Sequence, residues 1–318
     1  MNDNGTQPKA TVLADDELVF KKMFSALWAG KFIIIGTTVI ISGLAVWLAL
    51  SLPNVYRSET LLTPVSQEKR GLGGLSSSLG GLASLAGVNF GGGETNKTEI
   101  ALETLKSRQF FRDFNDKYSV ILPLMAAKDW DAINDKLIYD DEVYNEKNNT
   151  WLLPSKNGQG EPPTVQQAHR EFLKLLKVET DKQTGLVKVA IEFFSPNIAK
   201  QWVDWLVDDI NETIKNQDVE QAQKSIDYLT EQINQTQLTD LQRGFFEMIQ
   251  AQTKTIMLAN ASPQYLFKTL DPAVAPERKV GPKRAIICIL GGLVGGILGV
   301  LIVLVRYLLS SEDEQTRI

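Results

Sequence analysis

The sequence predicts an α+β chain in which two transmembrane helices flank an extracytoplasmic domain with a membrane-proximal α/β base and a long, extended helical arm. Three observations carry that expectation. Two uncharged apolar runs, 32–52 and 285–305, stand near the two ends of the 318-residue chain. Short segments between them alternate apolar and polar residues with the period of a strand. One helical pattern then runs almost unbroken from Ile198 to about Ala259, without an internal proline.

The mean hydropathy of -0.10 hides the two runs. Each is 21 residues long, about 31 Å at 1.5 Å per residue, which matches a hydrocarbon core of about 30 Å. The first is read as an uncleaved anchor. Its apolar core is too long for a signal peptide, mostly polar residues precede it, and no A-x-A site follows. Two spans put both termini on one side and 53–284 on the other. Lys21, Lys22 and Lys31 favour a cytoplasmic N-terminus, whereas Arg278, Lys279, Lys283 and Arg284 cluster on the loop side of the second span. Long loops cross regardless of charge and the first helix usually dominates, so both termini (1–31 and 306–318) are expected in the cytoplasm. In a bacterium 53–284 is then periplasmic, with both spans in the inner membrane. Neither tail is long enough for a kinase, an ATPase or a signalling domain.

Within the domain, 55–62 (VYRSETLL) ends at Thr63-Pro64 and reads as a strand closed by a breaker. The segment 186–194 (LVKVAIEFF) has the two-residue period of a half-buried strand, and 265–270 is a weaker third candidate. The three are expected to share one sheet near the membrane, in a base formed by 53–196 and 262–284. Between the first two lies 71–93, with nine Gly and four Ser, the composition of a mobile loop. Leu72, Leu75, Leu79, Leu82 and Leu85 nonetheless recur at helical steps, so the segment is alternatively an apolar loop that orders against a neighbouring subunit, polymerase or glycan.

The arm, 197–261, opens at Ser195-Pro196, a capping residue followed by proline at the first helical position. If straight, the helix is about 90 Å long. Ala222, Ile226, Leu229 and Ile233 keep a heptad-like spacing, and the stripe resumes in another phase at Leu238, Leu241, Phe245 and Met248. The slip, beside Thr239-Asp240, predicts a kink or the tip of an antiparallel helix pair. Such an arm cannot bury both of its sides, so it is expected to pack against identical arms in a ring.

Charge and composition exclude several functions. A net charge of -5 argues against a nucleic-acid binder. One Cys (Cys288) and one His (His169) exclude an intrachain disulfide, a thiolate cluster and chemistry that needs paired imidazoles, and no metal or cofactor is expected. Asp208-Asp209, Asp140-Asp141-Glu142 and Glu171 offer carboxylates, but none can be paired across a sugar bond; solvated faces are the simpler reading. Trp202 and Trp205 fit core packing better than sugar stacking. His169 lacks any triad signature, and Cys288 reads as an apolar filler inside the second span. The chain is therefore expected not to be an enzyme. In the second span Gly291, Gly292, Gly295, Gly296 and Gly299 form overlapping G-x-x-x-G pairs, a packing face for the first span or a partner's helix.

The stretch DPAVAPERKVGPKR, 271–284, carries Pro272, Pro276 and Pro282 and reads as a stiff, extended strut entering the bilayer. Together with the first span, the Leu52-Pro53 exit, the Tyr56 strand, Thr63-Pro64 and the Gly-rich second span, it resembles the chain-length determinant family, the Wzz-type polysaccharide co-polymerases of Gram-negative inner membranes. Lys279 departs from the pattern, standing where a further proline is usual. The resemblance implies a ring homo-oligomer and a non-enzymatic role: setting the modal length of a lipid-linked polysaccharide, the lipopolysaccharide O-antigen, made by a membrane polymerase. Its implied partners are the protein itself, the O-antigen polymerase, the lipid-linked polysaccharide and membrane lipids. It further implies assembly or polymerase contact at the three strut prolines and the span glycines. A capsule or exopolysaccharide co-polymerase working with a separate cytoplasmic tyrosine kinase is the alternative. A two-span sensor would need an output domain after the second span, and a periplasmic glycan hydrolase would need a pairable acid and base.

Overall fold

The protein is described by a computed structural model over residues 27–65, 93–153 and 160–315; most of the Gly-rich segment 71–93 lies outside these residues. The chain divides into two compact units, one formed by Met1–Pro53 with Gly281–Ile318 and the other by Asn54–Val280.

The first unit holds α1 (Lys31–Ser51) and the last helix of the chain, Arg284–Gln315. Both contain stretches long and apolar enough to cross a membrane, Lys31–Ser51 and Arg284–Arg306. Their side chains face outward almost throughout, as expected of helices whose solvent is lipid. The last helix continues past the apolar stretch expected at 285–305, because nothing in 306–315 breaks it.

The second unit is built around an antiparallel sheet of β1 (Tyr56–Pro64), β6 (Leu176–Thr180), β7 (Val187–Phe193) and β8 (Phe267–Asp271), in the order β6-β7-β1-β8. Tyr56 pairs with Phe193 and Leu62 with Val187. Period two then puts Ser58, Thr60 and Leu62 on one face with Val187, Val189, Ile191 and Phe193, all buried. The opposite face is charged, with Arg57 set among Glu59, Glu192 and Glu179 at 3.2, 3.9 and 3.9 Å. Helices α2 (Gly93–Leu105), α3 (Arg108–Tyr118), α4 (Ile121–Ala126) and α5 (Val165–Leu175) add Leu105, Phe111, Phe114 and Phe172 to the core. Ser107 caps α3, and Thr164 with Gln167 forms a capping box on α5. Two hairpins, β2 (Ala127–Asp131) with β3 (Lys136–Tyr139) and β4 (Tyr144–Asn145) with β5 (Thr150–Trp151), complete this part.

Helix α6 (Pro196–Gln235) starts at the Ser195 cap, whose hydroxyl accepts from the Ile198 N–H. Its first half is not free arm. Ala199, Val203, Leu206, Ile210 and Ile214, three or four residues apart, are buried in the core with Trp202 beside them. The arm expected from 197 thus frees itself from the sheet only beyond Ile214, because the apolar sheet face needs a helix to cover it. At Thr236 the helix ends. The Gln242 amide donates to the Thr236 carbonyl at 2.7 Å, and α7 (Thr239–Ala261) returns beside α6. The single helix of about 90 Å is therefore a hairpin of about 60 and 35 Å. The direction of α7 is fixed at its far end, where Tyr265 donates to Asp218 at 2.7 Å.

Asn211, buried in α6, clasps the start of β8. Its Oδ1 accepts from the N–H groups of Leu266 and Phe267 at 2.9 and 2.8 Å, and its Nδ2 donates to the Val207 and Phe267 carbonyls. An Asn211→Ala change leaves buried donors and acceptors unpaired and is expected to lower domain stability by about 3 kcal/mol. Urea denaturation followed by circular dichroism measures this; an unchanged midpoint would show that water replaces the clasp.

Candidate functional site

The strut between β8 and the last helix lies along β1. Prolines have no N–H, so Pro272 and Pro276 cannot extend the β1–β8 ladder. Side chains of β1 substitute: the Ser58 hydroxyl donates to the Val274 carbonyl and the Thr60 hydroxyl to the Asp271 carbonyl, both at 2.8 Å. The Ala273 methyl is buried between those anchors. The strut ends with the Val280 N–H on the Val55 carbonyl at 2.8 Å and the Lys279 ammonium on Asn54 at 2.9 Å. Lys279, where the resemblance leads one to expect another proline, so uses its side chain as a tie. Pro282 lies beyond, in the membrane unit, after a cis bond from Gly281.

In the membrane unit the five glycines divide. A methyl group added at Gly291 would strike the Ala45 methyl. One at Gly295 would lie 3.0 Å from the Thr38 Cα, and one at Gly299 2.8 Å from the Ile34 Cα. Backbone meets backbone at the last two positions, so no rotamer change relieves the contact. Gly292 and Gly296 stand to the side; the nearest atoms to their missing methyls are the hydroxyls of Ser42 and Thr38, at 3.5 and 3.9 Å. Gly30 makes the reciprocal contact, with Val303 filling the space a side chain would take. The sequence reading missed it, since a lone glycine before an apolar run carries no signal.

On the hairpin arm, Ala222 and Leu229 are buried, and Ile226, Ile233 and Phe245 half-buried. Their stripe faces α7 of the same chain. The antiparallel return of α7 covers part of the stripe, and the area it leaves exposed is available to a neighbouring arm. Leu238 and Leu241 are exposed at the tip. Tyr228, Phe246, Met248 and Met257 are exposed too, a set of large apolar side chains outside any one helical stripe.

Of the groups suggestive of chemistry, Asp209, His169, Trp202 and Trp205 are committed to structure, whereas Asp208 and Asp141 are exposed. Asp209, read from the sequence as solvated, is only 8% exposed. It accepts from the Lys117 ammonium at 2.7 Å and from the Tyr118 hydroxyl at 3.1 Å. These bonds hold the Lys117 ammonium well above its ordinary range, while burial pushes the Tyr118 phenol up. A raised lysine pKa contributes stability that is constant at neutral pH and lost only as pH climbs past the unfolded value near 10.4, so this network is no physiological switch. Trp205 stacks on Tyr118 with centroids 4.0 Å apart, and Trp202 is buried against Phe193. His169 is buried beside Phe111, its Nε2 2.8 Å from the Lys106 carbonyl, and Cys288 is half-buried in the last helix.

Spacing of the two apolar helices is the testable feature here. In a Cys288→Ala background, cysteines at Ser42 and Gly292 are expected to crosslink on oxidation, and adding Gly295→Leu to abolish most of that crosslink. Equal crosslinking with and without Gly295→Leu would refute close packing through these glycines.

The chain matches the family model described as "Chain length determinant protein" (Wzz) over residues 16–117 and "G-rich domain on putative tyrosine kinase" (GNVR) over 233–308. No curated protein matches it by sequence. Among solved structures it is similar to a full-length bacterial polysaccharide co-polymerase, at 16% identity and a TM-score of 0.37, over 91% of this chain and 97% of that one. It is also similar to a fragment of WzzB, a polysaccharide co-polymerase from Salmonella Typhimurium, at 7% identity and a TM-score of 0.25, over 72% of this chain and all of that one. Likeness at those scores fixes neither fold nor activity. The two matched segments instead bracket the domain, the first taking in α1, β1 and α3, the second α7, the strut and the glycine stripe. With those parts in that order, the chain carries a chain length determinant domain and a GNVR domain, in keeping with the family its sequence resembles.

Proposed function

We propose that the protein is a non-enzymatic regulator of the modal chain length of a lipid-linked surface polysaccharide, the lipopolysaccharide O-antigen. It sits in the bacterial inner membrane with both termini cytoplasmic and 53–284 in the periplasm. Copies assemble into a ring that scaffolds the O-antigen polymerase and its lipid-linked product, and the geometry of the ring biases when elongation stops. The observation that carries this reading is the chain length determinant match over 16–117, on a segment that includes α1 and β1. The exposed apolar residues of the arm, among them Tyr228, Phe246 and Met257, support assembly, since none of the described residues covers them. A role without catalysis fits the commitment of Asp209 and His169 to internal bonds. In this reading Pro272 and Pro276 serve by holding the strut on β1, and the glycines by setting the distance between spans.

A second reading is favoured by the GNVR match, whose description names a putative tyrosine kinase. It is a capsule or exopolysaccharide co-polymerase that works with a separate cytoplasmic tyrosine kinase.

Deleting the gene in its host and resolving lipopolysaccharide on a gel separates the two. Loss of a preferred long-chain cluster, restored by a plasmid copy, is the expected result. An unchanged ladder with an altered amount of capsule or exopolysaccharide would overturn the O-antigen assignment in favour of the kinase-partnered one. Light scattering in mild detergent is expected to give a mass many times 35.3 kDa; a monomeric mass would refute the ring.

A further inference from the structure

We propose that the β2–β3 hairpin places its tip, Ile133, in the interface of the lipid bilayer. This rests on reading the two apolar helices as membrane spans.

Covalent connection alone says which end of the domain meets the membrane. Val55 and Val280 are joined by a hydrogen bond of 2.8 Å. Helix α1 ends at Ser51 and the last helix begins at Arg284, each four residues away from that pair. Four residues of extended chain reach at most about 14 Å, so this end of the sheet lies beside the bilayer. The hairpin is fastened to the same end. The Trp130 ring meets Tyr56, the first residue of β1, edge to face with centroids 5.6 Å apart. Asn197, in the first turn of α6 and beyond the Phe193–Tyr56 pair, donates to Asp135 at 2.8 Å. The tip between Asp131 and Asp135 is thereby held at the level where the strands run out toward the spans.

The turn is braced. Asp131 accepts from the Ile133 N–H at 2.8 Å and from the Asn134 side chain at 2.6 Å, and the Trp130 indole donates to Asp135 at 2.9 Å. Bracing leaves Ile133 pointing away from the domain, 93% exposed, more than any other large apolar side chain among the described residues. A lone exposed isoleucine is ordinary on a protein surface. What distinguishes Ile133 is its position at the bilayer end, with the amphipathic Trp130 behind it, a pairing suited to the interface between headgroups and acyl chains. The carboxylates of Asp131 and Asp135 are occupied by the turn and by Asn197, so the contact rests on the apolar side chain at the tip. Neutral phosphatidylcholine therefore suffices as the probe.

The experiment uses the full chain in phosphatidylcholine nanodiscs, in a Cys288→Ala background, with one environment-sensitive fluorophore at Ile133→Cys, at Ile297→Cys in the last helix, or at Tyr228→Cys on the arm. All three native side chains are exposed, so the substitutions leave the packing intact. Nitroxide-labelled lipid is expected to remove most of the fluorescence at 133 and 297 and none at 228, while aqueous iodide quenches 228 alone. Quenching by lipid at 297 but not at 133 overturns the hairpin contact and leaves the spans standing. Absence of lipid quenching at both removes the spans and the proposal together. Shielding of 133 from both quenchers means a protein, a second copy or a partner, covers the tip, and also overturns it.

Discussion

A chain that leaves a membrane through one helix and returns through another must bring the two ends of the intervening domain side by side, and β1 is where this happens. It pairs with β7 on one edge, with β8 on the other, and then with the strut down to Val55. The strut cannot pair as a strand because its prolines lack N–H groups, so the bonding shifts to side chains. This accounts for two hydroxyl residues in the otherwise apolar buried row of the sheet. Ser58 and Thr60 lie under α6 with almost no exposure, yet each reaches a strut carbonyl. A buried hydroxyl without a partner would be costly; here it replaces the missing backbone donor.

Helix α6 joins two regimes along a single axis. Up to Ile214 its apolar residues recur at core spacing and cover the sheet; beyond, only Ala222 and Leu229 are buried, against α7. The change happens where β8 must begin, and polar contacts mark it. Asn211 holds the first residues of β8, and Asp218 receives both Tyr265 and Lys97 of α2. The base thus anchors both legs of the hairpin at one level, and among the described residues the remainder of the arm is supported by its own two helices. A two-helix arm of that kind exposes apolar area on its outer sides, which is the physical pressure toward association that the ring reading uses.

Between the apolar helices a different force applies, since lipid supplies no hydrophobic drive for one helix to meet another. Contact there comes from dispersion at close range. Gly291, Gly295 and Gly299, one every four residues, offer a groove to Ile34, Thr38, Ile41 and Ala45, which step along α1 by three or four. The Thr37 and Thr38 hydroxyls are satisfied by carbonyls of their own helix, so they enter the contact without an unmet donor. Gly292 and Gly296, one residue on, face away by about 100° and have no such reason within the chain.

The spans, the two principal strands and the start of α6 were legible because each has a local signal: an uncharged run of 21 residues, a two-residue period, a Ser-Pro cap. The tip of the arm was legible as a phase slip, although the sequence alone left a kink equally open. What could not be read was every feature set by a partner distant in sequence. The inward face of α6 resembles the arm stripe, and only the sheet, whose β1 lies more than a hundred residues upstream, decides that Trp202 and Ile210 are core. Asp209 looks like one more acid on a polar helix until Lys117 and Tyr118 are brought to it from α3. Asn211 carries no motif at all, because its meaning is the pair of N–H groups at 266 and 267 that open β8 after a turn through the whole arm. Local pattern thus fixes which segments are helix or strand, while the polar contacts that set their register are written only in the fold. For a protein whose buried polar groups Ser58, Thr60, Asp209 and Asn211 find their partners so far along the chain, a sequence reading finds the architecture before it finds the residues that hold it in place.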